Sequence, residues 1–174
     1  RVVSPQLIFR LIGQCYGMRV IFHLSKYITR HDILFLSMNN LDCIFCKIIN
    51  KEIPANIVYE DETFVAFLDI RPVREGHLLI VPKVHEPIFF NLDKVIYQNL
   101  FELARKLASV LDITFSPIRI GLAIVGFDVS HTHIHIIPMF DYHDITSKPI
   151  LDGTHIKPTQ EEFSQTVKKI KTHL

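Results

Sequence analysis

The chain carries the stretch His-Thr-His-Ile-His-Ile-Ile-Pro at residues 131–138, in which three histidines alternate with β-branched residues. Alternation with a period of two predicts a β-strand, on which side chains two positions apart share one face. We therefore expect His131, His133 and His135 on one face, about 6–7 Å apart along the strand. Ile134 and Ile136 are expected on the opposite, buried face.

A row of three imidazoles has several possible uses. Imidazole groups bind phosphate, transfer protons, ligate metals and act as nucleophiles. The alternative is a histidine-rich surface strand without chemistry, which the apolar residues Ile134 and Ile136 argue against. The residues alone leave open whether this strand binds phosphate, acts as a nucleophile or holds a metal.

Composition indicates one domain of the soluble globular class. The chain has 174 residues, 48% hydrophobic and 21% charged, with a net charge of +1. The absence of a basic excess argues against a nucleic-acid polymer as partner, and no run approaches the roughly 18 apolar residues of a membrane span. The odd number of cysteines, with a close pair at Cys43 and Cys46, favours a reducing compartment, so we expect a cytoplasmic location.

Three segments are expected along the chain. Residues 1–38 form an N-terminal extension, rich in Arg and poor in acids, that we expect to be poorly ordered or outside the native domain. An organelle transit segment is the alternative for this stretch. Residues 39–145 form the main domain, and residues 146–174 a C-terminal tail and helix.

Hydrophobic periodicity predicts an α+β domain with a mainly antiparallel five-stranded sheet. Strands are predicted at 57–60, 63–70, 77–82 and 118–124, in addition to the histidine strand. One long helix is expected from about Leu92 to Leu111, with Asn91 as N-cap. A capping-box pattern at 159–162 predicts a last helix that ends near Lys171.

Four further features carry potential chemistry. The loop from Gly126 to His131 offers backbone N–H groups to a phosphate. His77 is a fourth histidine, placed at a strand start. Asp69, at a strand end, either binds the hydroxyls of a ribose or caps a turn. Cys43 and Cys46, with two histidines, suit a tetrahedral zinc site, although two buried thiols are the alternative.

Taken in order, these segments resemble the histidine-triad (HIT) superfamily, whose motif is His-φ-His-φ-His-φ-φ with φ apolar. The resemblance covers about 100 residues and is closest to bacterial-type HIT nucleotide hydrolases with a C-x-x-C zinc knuckle. It runs through residues 43–49, 52–55, 59–62, 66–70, 76–85 and 131–138.

The resemblance implies a HIT-like fold, a homodimer, a purine nucleotide substrate and no organic cofactor. It implies a hydrolase or transferase that cleaves at the α-phosphate of a nucleoside phosphoramidate, dinucleoside polyphosphate or nucleotide ester through a nucleotidyl-histidine intermediate. Two alternatives are a nucleotide-binding module with weak or no catalysis and a metalloenzyme that uses the three histidines as ligands.

Site residues follow from the same resemblance. His133 is the implied nucleophile, and the main-chain carbonyl of His131 holds its other nitrogen. His135 and His77 are expected to donate hydrogen bonds to the phosphate, and Asp69 to bind the ribose. The implied lining of the base pocket is Ile44, Phe45, Ile48, Phe67 and Ile70. The implied structural zinc ligands are Cys43, Cys46, His85 and His131.

The chain departs from the family pattern in the approach to the triad. Ile120, Phe127 and Asp128 stand where many relatives carry Asn, Gln and Ser or Thr, and Met139 replaces a frequent Arg. We count Asp128 among the nucleotide-contacting positions, where it would repel an anion unless it points away. These departures bear on the substrate more than on the nucleophile.

Overall fold

The computed structural model describes residues 42–146 and 148–174. The expected extension at 1–38 and Cys15 lie outside these residues. The elements, in chain order, are α1 (Ile44–Ile49), β1 (Ile57–Glu60), β2 (Phe64–Leu68), β3 (Leu78–Pro82), a 3-10 turn (Phe89–Asn91), α2 (Lys94–Phe115), β4 (Arg119–Ala123), β5 (Ile134–Met139), a second 3-10 turn (Tyr142–Ile145), α3 (Lys148–Leu151) and α4 (Gln160–Lys171).

One five-stranded sheet, in the order β1-β2-β3-β5-β4, forms the centre of the described fold. All four strand pairs are antiparallel, which confirms the predicted α+β class. β5 is an interior strand, and His135 lies between Leu79 of β3 and Ala123 of β4. The histidine strand is therefore held on both sides by hydrogen-bonded neighbours.

The two faces of the sheet differ in what covers them. One face packs against α2 and α4 in the main core and includes the fully buried Ile134 and Ile136, as predicted. The other face forms a smaller cluster with Phe45 and Ile48 of α1. Because side chains alternate along β5, His135 lies on the α1 face, opposite the main core.

The long helix begins two residues later than predicted. Asn91 is not its N-cap, because Phe89–Asn91 form a 3-10 turn. The cap is Asp93, whose side chain accepts a hydrogen bond from the backbone N–H of Val95. Asp is as good a cap as Asn, so composition alone did not separate the two positions.

β5 is shorter than predicted, because it begins at Ile134 rather than at His131. The ladder with β3 ends where Pro82 has no N–H to donate and where its carbonyl accepts from the His131 side chain. The backbone N–H of Thr132 donates instead to the carbonyl of Glu86. Two of the three histidines thus lie in the segment that leads into the strand.

The C-terminal helix is part of the same core. The predicted capping box is confirmed, since the side chains of Thr159 and Glu162 each accept from the other's backbone N–H. Ile170 is fully buried in the main cluster, and Lys169 forms a salt bridge with Glu75 in the loop before β3. No helix in the described ranges is long and apolar enough to cross a membrane.

Candidate functional site

His133 is held in one tautomer by the main chain. Its Nδ1–H donates to the carbonyl oxygen of His131 at 2.6 Å. A neutral imidazole has one N–H, so the Nε2 atom of His133 retains its lone pair. Burial lowers the pKa of His133, which keeps the ring neutral and nucleophilic at pH 7. The ring packs edge-to-face against Phe45, with centroids 5.0 Å apart.

His135 is oriented by a chain of two hydrogen bonds that begins at a backbone amide. The N–H of Val73 donates to Nδ1 of His77 at 3.3 Å. Nε2 of His77 therefore carries the proton and donates to Nδ1 of His135 at 3.0 Å. His135 is left with an Nε2–H, and its ring centroid lies 4.9 Å from that of His133.

The structure gives His77 a different position from the one expected. We predicted a direct hydrogen bond from His77 to phosphate, but Val73 and His135 engage both of its ring nitrogens. The side chain is also buried. His77 therefore orients the ring of His135 through a hydrogen bond. Burial and the neighbouring His77 and His133 lower the pKa of His135 to about 4, so His135 is neutral at pH 7.

Asp69 makes the turn-capping contact, one of the two uses left open for it. Its Oδ1 atom accepts from the N–H of Arg71 at 2.8 Å, which is the turn-capping contact. Its Oδ2 atom lies 3.7 Å from Nε2 of His77 and 3.9 Å from Nδ1 of His135, beyond hydrogen-bond distance. One carboxylate oxygen is thus left facing the histidine cluster.

The predicted base-pocket residues separate into two groups. Phe45, Ile48 and Phe67 are buried together in the α1-face cluster, with the two phenyl rings 5.7 Å apart. Ile44 and Ile70 are not brought into this cluster and are 40% and 75% exposed. Phe45 of the first group packs against His133, whereas both residues of the second group are exposed.

The four predicted zinc ligands meet at one point. Nδ1 of His131 lies 3.4 Å from Sγ of Cys43, 3.6 Å from Sγ of Cys46 and 3.3 Å from Nδ1 of His85. Sγ of Cys46 lies 3.2 Å from Nδ1 of His85. Ligands bound to one tetrahedral zinc at about 2.0–2.3 Å are separated by about 3.3–3.8 Å. The group can therefore hold a metal ion.

The tautomer of His131 supports the same conclusion. Its Nε2–H donates to the carbonyl of Pro82 at 2.8 Å, so the Nδ1 lone pair faces the cysteines. Burial lowers the pKa of His131 to about 4. Burial and the adjacent Cys43 raise the pKa of the Cys46 thiol to about 12, which disfavours the thiolate. A bound cation would stabilise the thiolate and reverse this effect.

Two loops meet at the rim of the site. Arg71 follows Asp69, and its Nη2 atom lies 3.6 Å from Oδ2 of Asp128 in the loop before the triad. Val129 of the same loop packs against the α1-face cluster. Sequence reasoning included Asp128 but missed Arg71, because an ion pair between distant segments leaves no local pattern.

A third segment fixes the loop between Asp69 and His77. The buried carboxylate of Asp144 accepts hydrogen bonds from the backbone N–H groups of Phe140 and Asp141 and from Nε of Arg74, the last at 2.9 Å. Neither this anchor nor the backbone contacts at Val73 and Pro82 were predicted. They require knowledge of which segments lie side by side.

Comparison with known proteins places this site in a family. The HIT domain model matches residues 50–142. An uncharacterized HIT-like protein of Borreliella burgdorferi is 42% identical over 106 residues, which cover 57% of this chain and 76% of that protein. An adenosine 5'-monophosphoramidase of Saccharomyces cerevisiae is 37% identical over 100 residues, covering 57% and 63%. An adenylylsulfatase of Arabidopsis thaliana is 30% identical over 138 residues, covering 76% and 70%.

Solved structures agree with the sequence matches. A HIT-like protein from Bartonella henselae superposes with a TM-score of 0.65 at 28% identity and covers 78% of this chain and 98% of that one. A hypothetical histidine triad nucleotide-binding protein from Sulfolobus tokodaii gives a TM-score of 0.64 at 31% identity, covering 75% and 91%. The chain belongs to the HIT domain family.

Proposed function

We propose that this protein is a nucleotide hydrolase or transferase that cleaves at the α-phosphate through a nucleotidyl-histidine intermediate. The observation that carries the proposal is the 2.6 Å hydrogen bond from His133 Nδ1 to the His131 carbonyl, which leaves a lone pair on Nε2. Relatives named adenosine 5'-monophosphoramidase and adenylylsulfatase support a phosphate-centred reaction on a nucleotide.

The chemistry follows from the two fixed tautomers. The Nε2 lone pair of His133 attacks the α-phosphorus and forms a P–N bond, while the leaving group departs with its bonding pair and takes a proton from water. The Nε2–H of His135 hydrogen bonds to a phosphate oxygen and stabilises the charge that develops there. Water or another acceptor then attacks phosphorus and returns neutral His133.

The rest of the site suits the nucleoside. The free oxygen of Asp69 is a hydrogen-bond acceptor for ribose hydroxyls, and Phe45 and Phe67 supply an apolar surface for a purine. Ile44 and Ile70 are proposed contacts at the open side of the base. Whether the substrate is a phosphoramidate, a dinucleoside polyphosphate or a nucleotide ester is left to the turnover screen below.

We further propose that the ion held by Cys43, Cys46, His85 and His131 is zinc, in a structural role. Two thiolates and two imidazoles are a preferred zinc donor set. The ion would join α1 to the segment that carries the His131 carbonyl. Its contribution would therefore be stability and a fixed position for that carbonyl.

We propose a homodimer on the basis of exposed apolar side chains near an outer strand of the sheet. β4 is an outer strand in the sheet order of the described residues. Large apolar side chains are exposed on β4, on its flanks and on α2; they are Ile118, Leu122, Val125, Tyr97, Phe101 and Ile113. Such surfaces favour association.

A cytoplasmic location stays a prediction, based on the odd number of cysteines and the close pair at Cys43 and Cys46.

The test is a turnover screen across adenosine 5'-monophosphate amides, diadenosine polyphosphates and adenosine 5'-monophosphate esters, with His133→Ala as the decisive variant. We expect at least a thousandfold loss of turnover with nucleotide binding retained. Intact mass after a substrate pulse should show a nucleotidyl adduct on the wild type only. The exposed His173→Ala is the matched control.

Two results would contradict the proposal. Turnover by His133→Ala within tenfold of wild type would remove His133 as nucleophile. Tight nucleotide binding by the wild type without turnover of any member of the screen would favour the alternative, a nucleotide-binding module.

A further inference from the structure

The loop between Asp69 and His77 is tied to the C-terminal helix by one carboxylate. Oε1 of Glu75 accepts hydrogen bonds from Oγ1 of Thr166 at 3.1 Å and from Nζ of Lys169 at 2.7 Å. Both partners lie on α4, which is outside the part of the chain that matches the HIT domain model. Glu75 thus joins a loop of the site to a helix that the proposed reaction does not use.

The same loop supplies the amide that fixes the two hydrogen-bonded histidines. Val73 lies two residues before Glu75, and its N–H donates to Nδ1 of His77. The backbone N–H of His77 donates in turn to the carbonyl of Arg74, at 3.1 Å. A displacement of Glu75 would therefore move the Val73 donor relative to the ring that it holds.

The contact between Val73 and His77 is sensitive to such a displacement. Its N···N distance of 3.3 Å already exceeds the usual range of about 2.7–3.2 Å, so a further shift of a few tenths of an ångström would break it. In the other tautomer, Nδ1 of His77 carries the proton and Nε2 accepts from Nδ1–H of His135. The Nε2 atom of His135 then has a lone pair in place of the N–H that would donate to phosphate.

Polar contacts, more than close packing, hold this loop against α4. A cleft of about 560 Å³ lies between them, lined by Arg74 and Glu75 of the loop and by Phe163 and Thr166 of α4, among others. Side chains that face a cleft have few packed neighbours to fix their position. The separation of the loop from α4 therefore depends on the hydrogen bonds of Glu75.

Two further contacts from the C-terminal part of the chain hold the first half of the loop. The N–H of Ile156 donates to the carbonyl of Pro72 at 3.1 Å, and Nε of Arg74 donates to Asp144 at 2.9 Å. Both contacts remain when Glu75 is changed. A Glu75 variant should therefore shift the loop without unfolding it.

We propose that Glu75 is a positioning residue, which couples α4 to the ring of His135 through the Val73 amide and His77. This inference rests on the proposed function, in which His135 presents an N–H to the phosphate. The side chains of Glu75 and Lys169 are 47% and 55% exposed, so their ion pair contributes little to stability. Its effect is on the position of the loop.

The first measurement is the tautomer of His135, determined from the ¹⁵N chemical shifts of its ring. The wild type should show one tautomer, with the proton on Nε2, and Glu75→Ala should show a mixture. Glu75→Gln retains an oxygen that accepts from Thr166 and should restore the wild-type spectrum. Thr166→Val, which lacks the hydroxyl, should shift the spectrum in the same direction as Glu75→Ala, and Thr166→Ser should restore it.

The second measurement is a double-mutant cycle with His77→Leu. Glu75→Ala alone should lower kcat about threefold with little change in KM. In the His77→Leu background it should cause no further loss, because the coupling passes through His77. Glu161→Ala is the matched control, since Glu161 is an exposed acid that accepts from Gln165 within α4. It should change neither the spectrum nor kcat.

Two results would overturn the coupling. Unchanged His135 shifts in both Glu75→Ala and Thr166→Val would leave the contact with α4 as a surface ion pair only. Equal losses of kcat with and without His77 would show that Glu75 acts by another route. The tautomer measurement needs no substrate, so a spectral change supports the coupling even if no compound is turned over. Unchanged shifts, together with a nucleotidyl adduct on the wild type, would leave the reaction standing without the coupling.

Discussion

Two clusters on the α1 side of the sheet differ in the backbone group that holds one histidine of each. In the cysteine cluster (Cys43, Cys46, His85 and His131), a carbonyl, that of Pro82, accepts the Nε2–H of His131. In the histidine cluster (Asp69, His77 and His135), an amide, that of Val73, donates to Nδ1 of His77. In both clusters the potential ligand atoms lie within 4.8 Å of one another.

Because of this difference, one cluster presents a lone pair and the other presents an N–H donor. The carbonyl leaves a lone pair facing Cys43 and Cys46, which is what a cation needs. The amide leaves an N–H facing His135, which is what a hydrogen-bond chain needs. A metal on Nε2 of His77 would require a proton on Nδ1, which would then face the N–H of Val73 as a second donor. Similar donor spacing therefore does not imply similar function.

Metal removal should have the largest effect. Chelation, or Cys46→Ser, should lower the melting temperature by about 10 °C, because an ion at a thousand times its Kd stabilises the fold by about 4 kcal/mol. Elemental analysis should give about one metal per chain in the wild type. Loading with Co²⁺ should produce thiolate charge-transfer absorption that Cys43→Ser and Cys46→Ser weaken or remove.

Loading with Co²⁺ also tests whether only the cysteine cluster binds metal. We expect no Co²⁺ binding by the double variant of Cys43→Ser and Cys46→Ser at concentrations that saturate the wild type. A bound ion without thiolate bands, lost on His77→Ala, would show that the histidine cluster also takes metal. A wild type that is metal-free and fully stable would leave Cys43 and Cys46 as ordinary buried thiols.

Asp144→Asn should destabilise the loop that supplies the Val73 amide. Asp144 is 2% exposed and accepts a hydrogen bond from Arg74. We therefore expect the unfolding free energy, measured by denaturant titration, to fall by about 1–3 kcal/mol. The neighbouring Asp141→Asn, at an exposed residue whose side chain caps the following 3-10 turn, should cost less. Equal losses in the two variants would contradict the anchoring role of Asp144.

The same carboxylate predicts a dependence of stability on pH. Burial alone would raise the pKa of Asp144, but hydrogen bonds from Phe140, Asp141 and Arg74 outweigh it and lower that pKa below its ordinary value of 3.8. A group with a lowered folded pKa stabilises the fold above its unfolded pKa. The difference in stability between wild type and Asp144→Asn should therefore shrink as the pH falls below about 4.

His77→Leu should have a modest and selective effect on the proposed reaction. Loss of the donor to His135 should lower kcat by about tenfold with little change in KM, because it affects the transition state. His77→Gln, which retains an N–H donor, should recover part of the loss. The ¹⁵N shifts of the His135 ring should show a mixture of tautomers in His77→Leu; an unchanged spectrum would contradict the positioning role.

Much of this fold follows from local sequence patterns. The apolar run at 77–82 and the capping box at Thr159 and Glu162 correctly predicted β3 and the last helix, since each depends on residues close in sequence. Alternation at 131–138 predicted β5, although that strand begins at Ile134 rather than at His131. The N-cap of the long helix was wrong because Asn91 and Asp93 are equally suitable by type. The family resemblance also predicted the four residues that the structure brings together, Cys43, Cys46, His85 and His131.

The sequence by itself thus determined the α+β class, because this class follows from hydrophobic periodicity. It also determined the family and the residue types of both clusters, because the motifs of the chain resemble those of the family. Only the tertiary structure decided which nitrogen of each histidine carries the proton. That choice depends on the Pro82 carbonyl, the Val73 amide and the His131 carbonyl, groups that every sequence contains and that only folding brings to a particular ring. The pairing of Arg71 with Asp128 was decided in the same way.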